Sequence, residues 1–162
     1  MFTKTTRSAV RLLTHLGLEG GSEPMTPRAL AERLGESPSY LAKVARDLGK
    51  AGILRSHRGV AGGVVLGHSP QEITFLAIVE ACQGTILGDF CEESADVAST
   101  CAFHQACAEL HGALVSILSK WTLSQFMARP RPSGTLAKQM PCWLEPAPHA
   151  ASWKDSEEPT AP

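Results

Sequence analysis

The sequence predicts a mainly α-helical fold with one small β-hairpin, and three observations predict it. Two short apolar-patterned runs each open on a hydroxyl residue followed by proline, Thr26-Pro27 and Ser37-Pro38. Two strand-like stretches, Ile53 to His57 and Val64 to Leu66, flank a glycine-rich turn. A helical apolar pattern then runs from Cys101 or Ala102 to Met127. Together these describe a winged helix-turn-helix followed by a long dimerisation helix. Residues 1–84 form the winged domain with its following helix, 85–128 a cysteine-bearing loop and the long helix, and 129–162 a flexible proline-rich tail.

The first helix, Thr5 to Leu18, places Val10, Leu12, Leu13 and Leu16 at helical spacing before Gly20-Gly21 stops it. Thr26 caps the second, where proline in the first turn loses no needed N–H. Its short run, Arg28 to Leu34, ends on Gly35, a left-handed stop. Ser37-Pro38 repeats the start at once, so the two helices must cross steeply. In the third helix, Pro38 to Lys50, Leu41, Val44 and Leu48 share one face; Ser39, Lys43, Arg46 and Lys50 share the other. Hydroxyl plus cations suit a major groove, where Lys and Arg meet phosphates and guanine acceptors. A merely solvated face would have the same composition.

The hairpin tilts that balance towards DNA. It carries Arg55, His57 and Arg58 beside Gly59, Gly62 and Gly63, and a wing of this kind drops an arginine into the minor groove. Ser69-Pro70 is expected to open a fourth helix with Ile73, Leu76, Ala77 and Val79 apolar. The long helix has Leu110, Leu114, Ile117, Leu118 and Trp121 as its stripe. At 1.5 Å per residue it would reach about 37 Å, more than a small winged domain covers, so a second copy is expected against it. The tail holds seven of the eleven prolines and no periodicity.

Charge is divided along the chain. The net charge is only −1, yet residues 1–67 hold ten Lys/Arg against five Asp/Glu, and residues 68–128 hold Lys120 against seven acids. The first portion therefore suits a polyanion. No apolar run approaches the roughly 18 residues that a membrane span needs. The start of the chain lacks a secretory layout, so a cytoplasmic location with reduced thiols is expected. No nucleophile–base pairing or phosphate-binding loop is present, so an enzyme reading has little support.

Cys91, Cys101 and Cys107 follow a C-x9-C-x5-C pattern in acidic surroundings that include Glu92, Glu93 and Asp96. The spacing matches neither zinc ribbons nor ferredoxins. Thiolates converging from a loop and a helix start still favour zinc, copper(I) or an iron–sulfur cluster over hard cations. Three buried structural thiols are the competing reading, disfavoured by the polar setting. His104 and His111 are candidates for a fourth ligand, with a polar surface histidine the competing reading for each; His111 shares a helix face with Cys107. Cys82 continues an apolar helix and reads as core, and Cys142 as a loose tail thiol.

The phrases Thr5-Thr6-Arg7-Ser8-Ala9-Val10, Ser37-Pro38-Ser39-Tyr40-Leu41, Arg58-Gly59-Val60-Ala61-Gly62-Gly63 and Trp121-Thr122-Leu123-Ser124, with the cysteine trio, resemble the IscR/NsrR/RirA family of winged-helix iron–sulfur regulators. The resemblance covers residues 1–127. It implies a homodimer joined through the long helix, a [2Fe–2S] or [4Fe–4S] cluster on the three cysteines, and a palindromic promoter site. It also implies Ser39, Tyr40 and Lys43 in the major groove and Arg58 in the minor groove. The first cysteine gap, nine residues, is longer than in family members, and three positions also depart from the pattern. Ala42 replaces a glutamate that selects between sites in the cluster-biogenesis regulator. Arg7 stands where some nitric-oxide sensors have a ligating aspartate. His111 falls one residue beyond a histidine ligand.

The expectation is thus a DNA-binding transcription regulator, a repressor, whose promoter affinity follows a cluster that senses nitric oxide, redox state or iron. A zinc or thiol-switch regulator and an iron–sulfur carrier without DNA affinity are the competing functions.

Overall fold

The computed structural model describes residues 2–20, 23–59, 62–86, 99–132 and 142. Helix α1 spans Lys4–His15, and Thr3 Oγ1 accepts the Thr6 N–H at its start. It does not continue as α-helix to Leu18, as the periodicity suggests. Residues Leu16–Gly20 widen into one π-helical turn instead.

Helices α2 (Pro27–Leu34) and α3 (Pro38–Lys50) begin where the hydroxyl-proline pairs predict. Thr26 accepts from Ala29 N–H and Ser37 from Tyr40 N–H. Gly35 takes a left-handed φ of 65°, which a Cβ-bearing residue reaches only with strain. Strands β1 (Leu54–His57) and β2 (Gly63–Leu66) pair antiparallel, Leu54 opposite Leu66 and His57 opposite Gly63. Met25 bonds to Val64 in both directions, at 3.1 and 2.9 Å, so the segment entering α2 lies along the hairpin. A Cβ on Gly63 would stand 2.5 Å from the Met25 carbonyl carbon, so this approach requires glycine. The wing is thereby fastened to the helix-turn-helix.

Two later elements differ from expectation. Helix α4 spans Phe75–Gln83 and begins at Thr74, not at Ser69. Ser69 N and Oγ both donate to Glu72 Oε2, at 3.0 and 2.7 Å, closing a turn before the helix. The long helix is broken. Helix α5 spans Ala102–Lys120, Trp121 is extended (φ −89°, ψ 132°), and α6 spans Leu123–Ala128. A capping box between Thr122 and Gln125 restarts it. The freed backbone pairs with the segment before α4: Phe75 N donates to Trp121 O (2.7 Å), Leu123 N to Ile73 O (2.8 Å) and Ser124 N to Pro70 O (3.0 Å). At 1.5 Å per residue, α5 is about 28 Å long, shorter than the sequence suggests.

One core joins α1 to α4 with the hairpin and α6, and Leu12, Leu13, Leu30, Leu41, Leu48, Ile78 and Leu123 lie fully inside it. Residues 102–128 therefore fold onto the winged domain, with Leu118 and Leu123 buried. A polar knot sits in the turn between α2 and α3. Glu36 accepts from Ser8 Oγ (2.9 Å) and Arg11 Nη1 (3.1 Å), and Lys4 Nζ lies 3.8 Å away. Arg11 also donates to the Leu34 carbonyl that ends α2. The turn that sets the crossing angle of the two helices is thus tied to α1. No described helix is long and apolar enough to cross a membrane.

Candidate nucleic-acid interface and cysteine site

Helix α3 packs Leu41, Val44, Ala45 and Leu48 inward, which turns Ser39, Lys43, Arg46 and Lys50 out to solvent. Arg55 and Arg58 are exposed on β1 and just beyond it, beside exposed His57. Among the described residues Lys43, Arg46, Arg55 and Arg58 have no carboxylate partner; Lys50 lies 3.9 Å from Asp47. Unneutralised cations on an outward helix and its adjoining hairpin hold their positive potential for an incoming polyanion. A cleft of about 490 Å³ lies between α3 and the hairpin, lined in part by Ala42, Arg46, Lys50 and Ser56.

Tyr40 sits differently from the other expected contacts. Its ring is half-buried against the core with Lys4 Nζ 4.8 Å from the centroid, and its hydroxyl is buried without a hydrogen-bond partner. Packing at the first turn of α3 claims the ring, so Tyr40 does not stand out with Ser39 and Lys43. Val60 and Ala61 lie outside the described residues.

Helix α5 carries the described part of the cysteine site. Cys101 is the exposed N-cap, with no side-chain hydrogen bond to the first turn, and Cys107 is half-buried two turns on. Both are free thiols. His104 is buried at 9% exposure and His111 is half-buried; with Cys107 they share the inner face of the helix by spacing. Among the described residues no three such side chains are gathered closely enough to hold a metal ion, and Cys91 lies outside them. The donor chemistry fits a soft metal centre: two free thiols on the first two turns of one helix, one of them open to solvent. Cys82 is a different case. Burial, with Asp47 adding to it, pushes its thiol up to about 11, so it stays protonated and inert as the core reading expects.

The same helix leaves an apolar strip uncovered. Phe103, Leu110 and Ile117 are 73%, 53% and 56% exposed, and Trp121 at its end is 48% exposed. Leu114 is half-buried beside them. Leu118 does not belong to this strip; at 3% exposure it packs inside its own chain. Phe103 was not among the stripe residues expected from sequence. Its signal is the seven-residue repeat 103, 110, 117, which the inner stripe obscures because both run along one helix.

A family model described as Rrf2, an iron-dependent transcriptional regulator, matches residues 2–129. The chain belongs to the Rrf2 family. Among its relatives, YffB of Lactococcus lactis is 35% identical over 109 residues, 62% of this chain and 70% of that protein. The Rrf2 regulator IscR of Vibrio atlanticus is 29% identical over 127 residues, covering 77% of this chain and 73% of its own. The solved structure of CymR, the global cysteine regulator of B. subtilis, superposes with a TM-score of 0.64 at 24% identity. It covers 79% of this chain and 96% of CymR, and at that identity it speaks for the fold alone. As an Rrf2 member the chain is a DNA-binding transcription regulator and not an enzyme.

Proposed function

We propose that this Rrf2 regulator is a homodimeric repressor whose grip on a palindromic promoter follows the state of an iron–sulfur cluster, [2Fe–2S] or [4Fe–4S], on Cys91, Cys101 and Cys107. The observation that carries the proposal is the position of Cys101: a free, exposed thiol at the start of the helix whose opposite edge is the uncovered apolar strip. Whatever holds Cys101 and Cys107 acts on the helix that joins two reading heads. The relative named IscR supports the same assignment, as does the iron-dependent description of the family.

The residues divide the work. Lys43, Arg46, Lys50 and Arg55 meet phosphates and base edges of the major groove, with Ser39 beside them, while Arg58 serves the minor groove. Phe103, Leu110, Ile117 and Trp121 bury one another across the twofold axis. Two half-sites about one helical turn apart, near 34 Å, then face the paired α3 helices. The cluster, when bound, supplies a redox- and nitric-oxide-reactive centre tied to thiolates. Its effect on DNA equals its differential affinity for the two arrangements of the heads. His104 or His111 completes the ligand set from the inner face of α5.

Anaerobic purification tests the reading. The dimer should carry iron and acid-labile sulfide in equal amounts, and Cys101→Ala should lose the visible absorbance. A colourless protein with zinc and no sulfide would replace the cluster by a zinc centre; one with neither, responding to oxidant, would leave a thiol switch. Either result keeps DNA binding and ends cluster gating.

A further inference from the structure

A second cleft, of about 530 Å³, opens where α1, its π-helical turn, α2 and the segment after α6 meet. Three guanidinium groups line it, from Arg11, Arg33 and Arg131. Two are already answered: Arg11 by Glu36, and Arg33 by Glu19 at 2.9 Å. Among the described residues Arg131 has no ion pair. Among the described residues, one positive charge of the cleft is therefore left over.

Two polar side chains of α1 line the same cleft without being satisfied. Thr14 is 5% exposed and its Oγ1 has no hydrogen-bond partner among the described residues. His15 Nε2 is also without one: Glu19 Oε2 lies 3.5 Å off but not in hydrogen-bonding alignment. Burial lowers the His15 pKa, which keeps the ring neutral at physiological pH and adds no further charge. Buried polar groups left unpaired weaken a fold unless a ligand or water completes them. The π-turn brings Leu18 and Glu19 to the rim, and such turns recur at binding sites. Leu18, Leu34 and Pro130 make the remaining wall apolar.

We infer that this cleft binds a small monocarboxylic acid with an apolar body, and that the ligand tunes DNA affinity through α2. The single surplus cation sets the charge at one, which favours a carboxylate over a dianionic phosphate. The guanidinium of Arg131 takes the carboxylate, and the hydrocarbon body lies on Leu18 and Pro130. Glu19 on Arg33 shows that a carboxylate fits a guanidinium at this rim. A ligand held there links α1 and α2 to the segment leaving α6. It thereby biases the placement of the helix-turn-helix relative to the rest of the chain. The tuning half rests on the regulator reading above; the binding half does not.

Calorimetry and thermal melts of the full-length protein with benzoate and butyrate test the site, with benzamide and inorganic phosphate as controls at matched ionic strength. At least one acid should bind saturably below about 10 mM and raise the melting temperature by mass action. Benzamide and phosphate should not. Arg131→Ala, on an exposed residue, should weaken binding at least about tenfold without changing the ligand-free melt. No saturable binding, equal binding of benzamide or phosphate, or an Arg131→Ala protein that binds normally would each overturn the assignment. Gel shifts with and without benzoate read the coupling, and an unchanged affinity removes the tuning half. A protein that never shifts DNA overturns the regulator reading, while calorimetry still judges the cleft.

Discussion

Removing the Glu36 carboxylate should cost this fold about 3 kcal/mol. Its partner Arg11 has a side chain only 7% exposed, and Glu36 itself is 11% exposed. Desolvation lowers the Arg11 pKa, and the Glu36 charge is the main force acting against it. In Glu36→Ala the guanidinium stays in place without that charge, and Ser8 Oγ loses its acceptor. Breaking one side of a buried pair costs about 3–5 kcal/mol. The bond that Arg11 keeps to the Leu34 carbonyl argues for the lower end. In a chain of this size that is a drop of about 6–12 °C in melting temperature. Urea and thermal unfolding of Glu36→Ala, Arg11→Met and the double variant, at one protein concentration, measure it. The double variant should be better than the sum of the singles by about 2 kcal/mol, because no charge is left stranded. A Glu36→Ala cost under about 1 kcal/mol, or strict additivity, would refute the view that the knot holds the turn by charge pairing.

Three further outcomes follow from the exposed and buried groups. Lys43→Ala and Arg58→Ala should each lower the steepness of the log affinity against log salt plot by about 1, read by fluorescence anisotropy, since each removes one phosphate neutralisation. Ile117→Asp should leave a folded monomer in sedimentation, because it places a charge in the middle of the apolar strip and far from the core; a persistent dimer would move the interface elsewhere. Cys82, with its thiol near 11 against an ordinary value of 9.0, should alkylate about 100-fold more slowly than an unperturbed thiol. Its folded pKa is raised, so the associated stability is complete below pH 9.0 and is lost as pH climbs towards 11; Cys82→Ala should flatten that decline.

The winged domain was legible because each signal is local. Thr26-Pro27, Ser37-Pro38 and Gly35 act on their own turns, and the structure places caps and the left-handed stop there. The outward cations of α3 were legible for a related reason: a strict apolar face leaves only one opposite face. Tyr40 escaped because an aromatic at a helix start can pack or protrude, and only the tertiary neighbours of α1 decide. The break at Trp121 escaped too. The apolar pattern runs through it, and the pairing that competes with the helix comes from residues 70–75, distant in sequence. The fold of Ser69 onto Glu72 has the same character: a polar turn whose hydroxyl-proline start imitates a helix cap. The cleft around Thr14 and Arg131 has no sequence signature at all, since α1, α2 and the chain beyond α6 meet only in the folded state.

The interruption at Trp121 makes a hinge pin of residues 121–123. Main-chain bonds to Ile73 and Phe75 rivet the end of α5 to the peptide running from the wing into α4. From that end α5 runs about 28 Å back to Cys101, packed along its inner face on α4. Ile73 and Leu123, which share one of these bonds, are core residues, so strain imposed on the end of α5 would be felt in the core and along the peptide leading back to the hairpin.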